Sequence, residues 1–217
     1  MDLAVSGEAS PVLAPDEEEA RALARLGAAA AGSEAARLRR TFAPALAHVG
    51  PSDLEELLLQ TYLFAGFPRA IDAFFVWRGW AVRQGLAALP RPVEPPDPAA
   101  WRERGEALCR RIYGTDYEAL QLRLARLHPA LAEWTLVEGY GKVLSRPGPD
   151  PARRELAAVG ALGCLGAERQ LRSHLKGAVR VGVRPAVVGS AIRAVAIEWG
   201  QESLVDRLLV ELGWPTP

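Results

Sequence analysis

The stretch RRELAAVGALGCLGAERQLRSHLKGAVRVGV, Arg153 to Val183, decides the fold. From Leu156 to Ala167 it carries no charge on any side, and a helix apolar all round is buried all round. A membrane span needs roughly 20 such residues. This run is shorter and rich in glycine, so it reads as an interior helix. On the next helix His174 shares a face with Leu171, Leu175 and Ala178, a stripe that should turn inward. Gly166 marks the turn between the two. Glu155, at the entrance of the first helix, and His174 lie on opposite sides of that glycine at similar distances along the chain. In an antiparallel pair rising ~1.5 Å per residue they come within about one turn of the same height.

Outward from this hairpin the chain reads as helix throughout. Alanine, leucine, arginine and glutamate dominate, while isoleucine and threonine are scarce. Asp16, before an acidic first turn, marks a helix start. Ser52 with Glu55 and Thr115 with Glu118 have capping-box spacing. Asp97-Pro98 and Asp150-Pro151 place a capping acid before a first-turn proline. Helices are expected over 16–31, 33–47, 52–65, 68–89, 98–112, 115–127, 129–145, 151–165, 168–181, 185–199 and 201–212, with no convincing strand. The fold class is all-α. The segment LPRPVEPPDP, Leu89 to Pro98, cannot be helical throughout and reads as a semi-rigid linker.

The two ends of the chain resemble each other. Sliding 20–46 onto 153–179 without a gap matches Arg21 with Arg154, Leu23 with Leu156, Ala24 with Ala157, Gly27 with Gly160, Ala28 with Ala161, Leu38 with Leu171, Arg39 with Arg172 and Ala45 with Ala178. Duplication of a helical unit is the favoured reading, although two alanine-rich helices also match at some positions by chance. The expected division is a first repeat at 1–89, a proline linker at 90–98 and a second repeat at 99–217.

Composition excludes several classes. The 217 residues carry 26 basic and 26 acidic side chains, so no basic face is expected to hold nucleic acid. The opening MDLAVSGEASPVLAPDEEE has neither a basic nor a long apolar region, which argues against a secretory signal, and no stretch suggests a membrane partner. Cys109 and Cys164 are too few for a disulfide scaffold or a four-cysteine zinc site and suit the cytoplasm. No set of His, Cys, Asp and Glu has metal spacing, and neither a phosphate-cradling glycine loop nor a Gly-x-Ser-x-Gly elbow occurs. His48 and His128 read as surface or capping histidines. Phe74, Phe75, Trp77 and Trp80 cover more than one face of their helix, which leaves core and subunit contact equally open.

A carboxylate and an imidazole meeting in an apolar pocket can hold a proton near neutral pH. The plain alternative is also open. Glu155 sits near a helix N-terminus, where an acid is favoured, and can pair with Arg172 or another arginine, while His174 fills the core.

From about Gly114 onward the chain resembles a carboxymuconolactone decarboxylase domain of the alkyl hydroperoxidase D (AhpD)-like superfamily. HPALAEWTLVEGYGKVLSRPG resembles that family's aromatic entry helix and Arg-Pro-Gly turn. Arg153 to Val183 resembles its acid-helix, His-helix hairpin. GPSDLEELLLQTYLFAGFPRAIDAF, in the first half, resembles the segment that follows the hairpin. The resemblance implies an AhpD-like helical bundle built as a tandem repeat of helical hairpins, with Glu155 and His174 as a proton relay. It implies a lyase that needs no cofactor and acts on a small organic acid or lactone. Arg146 is a candidate substrate-carboxylate clamp, and Phe64 to Phe67 a wall lent by the first repeat. It also implies a homo-oligomer, here a trimer of two-repeat chains. The family's hydroperoxidase branch requires a Cys-x-x-Cys pair, whose thiols would fall at Ala167 and Gln170, so a peroxiredoxin-type activity is disfavoured. A third reading is a non-catalytic oligomeric binding protein. The chain departs from the pattern at Ala22 and Thr41, which stand at the places of Glu155 and His174 in the first repeat, at Ile197 to Ser203, and at Pro149. Either the halves share one composite pocket or neither keeps a complete site.

Overall fold

The computed structural model describes residues 13–32, 34–86 and 91–215. Among these, every regular element is helical. A first hairpin, α1 (Glu17–Gly32) and α2 (Ala35–Leu46), leads into α3 (Pro51–Leu59) and α4 (Thr61–Arg83). The middle of the chain holds α5 (Pro98–Tyr113), a 3-10 turn, α6 (Tyr117–Leu127), α7 (Pro129–Trp134) and a π-helix (Thr135–Leu144). A second hairpin, α8 (Pro151–Cys164) and α9 (Glu168–Arg180), is followed by α10 (Pro185–Trp199) and α11 (Glu202–Glu211). The helix expected to reach residue 89 ends at Arg83, and residues 87–90, where the linker begins, lie outside the described residues.

The capping acids act as expected at three starts. Asp16 Oδ1 accepts from the Glu19 amide at 2.9 Å, Asp97 from Ala100 at 3.0 Å, and Asp150 from Ala152 and Arg153 at 2.8 and 3.2 Å. The two capping boxes do not form. Helix α3 begins at Pro51 behind Gly50, and α6 begins at Tyr117. The box acids have charged partners instead: Glu55 binds Arg78 and Glu118 binds Arg110, bonds stronger than one to a neutral amide. The Gly-Phe-Pro break falls inside α4 at Gly66 (φ +80°), a conformation that favours glycine.

The helix expected over 129–145 is α-helical only to Trp134 and then widens into the π-helix. This widened segment lies backbone to backbone on α5. A Cβ at Gly105 would sit 2.3 Å from the Leu136 carbonyl oxygen, and one at Gly141 would sit 1.9 Å from that of Trp101.

The centre of the molecule is the crossing of α1 and α8. A Cβ on Gly27 would meet the Ala157 carbonyl oxygen at 1.9 Å, and one on Gly160 would meet that of Ala24 at 1.8 Å. The contact is reciprocal in the register that pairs Gly27 with Gly160 and Ala24 with Ala157. The same register pairs the first residue of α2, Ala35, with the first residue of α9, Glu168. Leu23, Leu26, Leu156, Val159 and Val195 fill the surrounding core.

A buried ionic knot also joins the halves. Glu56 on α3 accepts two bonds from Arg146 at 2.9 and 3.0 Å, and Arg154 Nη2 lies 3.5 Å from the same carboxylate. Arg154, only 2% exposed, donates to the carbonyls of Pro149 and Arg146 and to Gln60 Oε1, while Gln60 donates back to the Arg154 carbonyl. Burial pulls this guanidinium's pKa below its ordinary value, and the Glu56 charge works against that shift.

The aromatic cluster of α4 divides between core and surface. Trp77 is buried, packs on Phe42 and Trp80, and donates its indole N–H to Glu55 at 2.9 Å. Phe75, on the same helix beyond the break, is exposed.

Candidate functional site

The second hairpin brings Glu155 and His174 together. Glu155 Oε2 lies 2.9 Å from His174 Nδ1, and the two residues are 2% and 7% exposed. Asp150 starts α8 one turn ahead of Glu155, and Leu171, Leu175 and Ala178 seat the histidine face of α9 in the core. With Nδ1 engaged by the carboxylate, Nε2 is the ring nitrogen left outside that contact. Phe64 stands edge-on to the imidazole, with ring centroids 5.5 Å apart at 87°, so the first half of the chain does reach this site.

Gly177, one turn beyond His174, makes the room. A Cβ there would fall 2.7 Å from Glu155 Oε2 and 2.9 Å from Ile112 Cγ2. Helix α5 packs against α9 on the other side. Burial, then the negative charge of Glu155, pushes the Cys109 thiol pKa up to about 12. Tyr140 donates to the Tyr113 hydroxyl at 2.8 Å, and burial raises the pKa of both phenols. The acid thus faces weakly acidic groups that stay protonated at neutral pH.

The other candidates sit elsewhere. Both bonded edges of the Arg146 guanidinium are taken by Glu56, and no contact joins Arg146 to Glu155 or His174 among the described residues. Phe67 is 63% exposed, stacks on Tyr62 with centroids 4.7 Å apart, and lines an apolar groove of about 310 Å³ on α4 with Ile71, Phe74 and Phe75. Tyr62 in turn donates to Glu138 at 3.1 Å. His128 caps α7 by accepting from the Ala130 amide at 3.1 Å. Among the described residues, no group of three His, Cys, Asp or Glu could hold a metal ion, and no helix is long and apolar enough to cross a membrane.

Sequence reasoning missed Cys109 and Gly177. Cys109 was legible through Gly105 and Ile112, which share its face at helical spacing. Gly177 was legible as a glycine inside a helix, which costs about 1 kcal/mol against alanine and asks for a packing reason.

The carboxymuconolactone decarboxylase family model matches residues 130–209, which span α7 to α11 and include both Glu155 and His174. Peroxisomal protein 2 of Schizosaccharomyces pombe is 31% identical over 170 residues, covering 73% of this chain and 75% of that protein. The chain belongs to the carboxymuconolactone decarboxylase family. The name of the yeast relative places that protein in the peroxisome and states no reaction.

Proposed function

We propose that this family member is a cofactor-independent lyase acting on a small lactone or organic acid, with Glu155 and His174 as its proton-handling pair. The observation that carries this reading is the buried 2.9 Å contact between them, with Phe64 against the imidazole. In a decarboxylation, the bond to the departing carboxylate breaks and its electron pair moves into the conjugated lactone carbonyl. Carbon dioxide leaves. The resulting enolate carbon takes a proton from the imidazolium Nε2–H, and the ring recovers a proton from water. Glu155 stays ionised throughout, orients the ring through Nδ1–H and stabilises its charged form. Arg146 is left out of this scheme because Glu56 already occupies it.

A hydroperoxidase cycle is less well supported. It needs a thiolate, and burial raises both thiols, Cys109 to about 12 and Cys164 to about 11. We read the chain as a duplicated hairpin, supported by the reciprocal glycine contacts of α1 and α8. We also read it as a trimer of such chains, supported by the exposed stripe of Phe67, Ile71, Phe75 and Val82 on α4. A monomer in light scattering would reject that assembly. The cytoplasm is its proposed compartment, since Cys109 and Cys164 are free.

The test is turnover of carboxymuconolactone, followed by carbon dioxide release. His174→Ala should abolish it and Glu155→Gln should lower it by roughly 10²–10⁴-fold, the range of general acid–base catalysis, with the helical circular dichroism signal unchanged. Turnover that survives His174→Ala removes the assignment.

A further inference from the structure

The first hairpin also has an opening beside it, and its chemistry is different. A cavity of about 750 Å³ lies against α1 and α2, lined by Ala22, Thr41, Pro44 and Ala47, and rimmed by Arg21, Arg25, Arg37, Arg40 and His48. Glu18 and Glu198 are its two lining acids. Ala22 and Thr41 occupy the places that Glu155 and His174 hold in the second hairpin, in the register pairing Gly27 with Gly160. The small alanine leaves space where a carboxylate would stand. Thr41 directs its hydroxyl proton to the Leu38 carbonyl at 2.8 Å.

Three of the arginines are held in place. Arg21 is fixed by Glu17 at 2.8 Å and by Ser190 at 2.6 Å. Arg25 pairs with Glu198 at 2.6 Å. Arg37 is held by Glu34 at 3.0 Å and lies 4.3 Å over the Trp199 ring. The side chains of Arg40 and His48 have no ion-pair or hydrogen-bond partner among the described residues. Arg21, Arg25 and Arg37 each meet a carboxylate, from Glu17, Glu198 and Glu34, so Arg40 is the lining guanidinium without a carboxylate partner among the described residues, beside an apolar floor. The volume is that of a metabolite site. Guanidinium groups grip carboxylates through two parallel bonds.

We propose that this cavity is a second binding site, for a small organic carboxylate whose apolar body rests on Ala22, Pro44 and Ala47 and whose acid meets Arg40. It is distinct from the Glu155–His174 pair and does not depend on any activity there.

The experiment is calorimetric titration of the full chain with phthalate, an apolar ring bearing two carboxylates, and with inorganic phosphate at matched ionic strength. Phthalate should bind once per chain. Arg40→Gln, which breaks no internal bond, should weaken it on the order of tenfold, the loss expected for one charge-assisted contact, and Arg40→Glu should weaken it further. Ala22→Phe should block it, with thermal melting as the check that this variant is folded. His174→Ala should bind as the parent does. Four results would overturn the proposal: no phthalate binding, affinity unchanged in Arg40→Glu, binding lost in His174→Ala, or phosphate displacing phthalate at equal concentration, which would mean that charge alone attracts it.

Discussion

Replacing Gly160 by alanine tests the central packing directly. On an isolated helix the change would stabilise by about 1 kcal/mol. Here the new methyl would lie 1.8 Å from the Ala24 carbonyl oxygen, 2.6 Å from its carbon and 2.8 Å from its Cα. All three are backbone atoms, so no rotamer can swing aside. Ordinary contact requires α8 to retreat from α1 by roughly 1.5 Å. Overpacking of this kind costs about 1–3 kcal/mol, and the lost helix–helix contact places the expected value at the top of that range. At about 2–4 °C per kcal/mol for a chain of this size, Gly160→Ala should lower the melting temperature by roughly 5–10 °C. Gly27→Ala, facing the Ala157 oxygen at 1.9 Å, should cost a similar amount. The double variant should cost less than the sum, because one retreat relieves both clashes. Thermal unfolding followed by circular dichroism reads all three. A Gly160→Ala protein as stable as the parent, or strictly additive losses, would refute the close crossing and its reciprocity.

Three further outcomes follow from other sites. Glu56→Ala strands Arg146 and the nearly inaccessible Arg154 without their shared carboxylate, and breaking such a buried cluster from one side costs about 3–5 kcal/mol; chemical denaturation should show the loss, with Glu56→Gln intermediate. Gly177→Ala puts a methyl against Glu155 Oε2 and should lower turnover far more than melting temperature, since the carboxylate must leave Nδ1 to make room. Cys109 carries a raised pKa, so its contribution to stability is complete below the unfolded thiol value of 9.0 and is lost as pH climbs from there to about 12; Cys109→Ala should flatten the alkaline arm of the stability–pH curve, and an unchanged arm would contradict the burial of that thiol.

The helices were legible because their ends carry local chemistry. Asp97-Pro98 and Asp150-Pro151 announce starts in any context, and the uncharged run from Leu156 onward announces an interior helix. The Glu155–His174 meeting followed from helix rise and one turn glycine, both local quantities. What the sequence hid depends on partners distant in the chain. Arg146 reads as a free helix-end cation until Glu56, ninety positions earlier, is folded against it. The capping boxes at Ser52 and Thr115 have sound spacing, but Arg78 and Arg110 claim their acids. The π-helix has no strong sequence period of its own. It emerges where Gly141 and Gly105 let two backbones touch.

The contrast between the two hairpins comes down to what lies on top of each. Helix α5 packs onto α9, setting Cys109 and Ile112 beside Glu155, while Arg180 holds the Ile112 carbonyl at 3.3 Å and Asp116 at 2.6 Å. Under that cover a carboxylate can persist only with a partner, and the imidazole supplies one. Around α2 the lining is arginine and a partly exposed histidine, chains that keep their heads in water while their stems cover apolar surface. There Ala22 is apolar and the buried Thr41 hydroxyl is satisfied within its own helix by the Leu38 carbonyl, so neither calls for a partner across the hairpin. One hairpin geometry therefore carries two different sets of side chains, an acid–imidazole contact beneath α5 and an arginine-rimmed cavity beside α2.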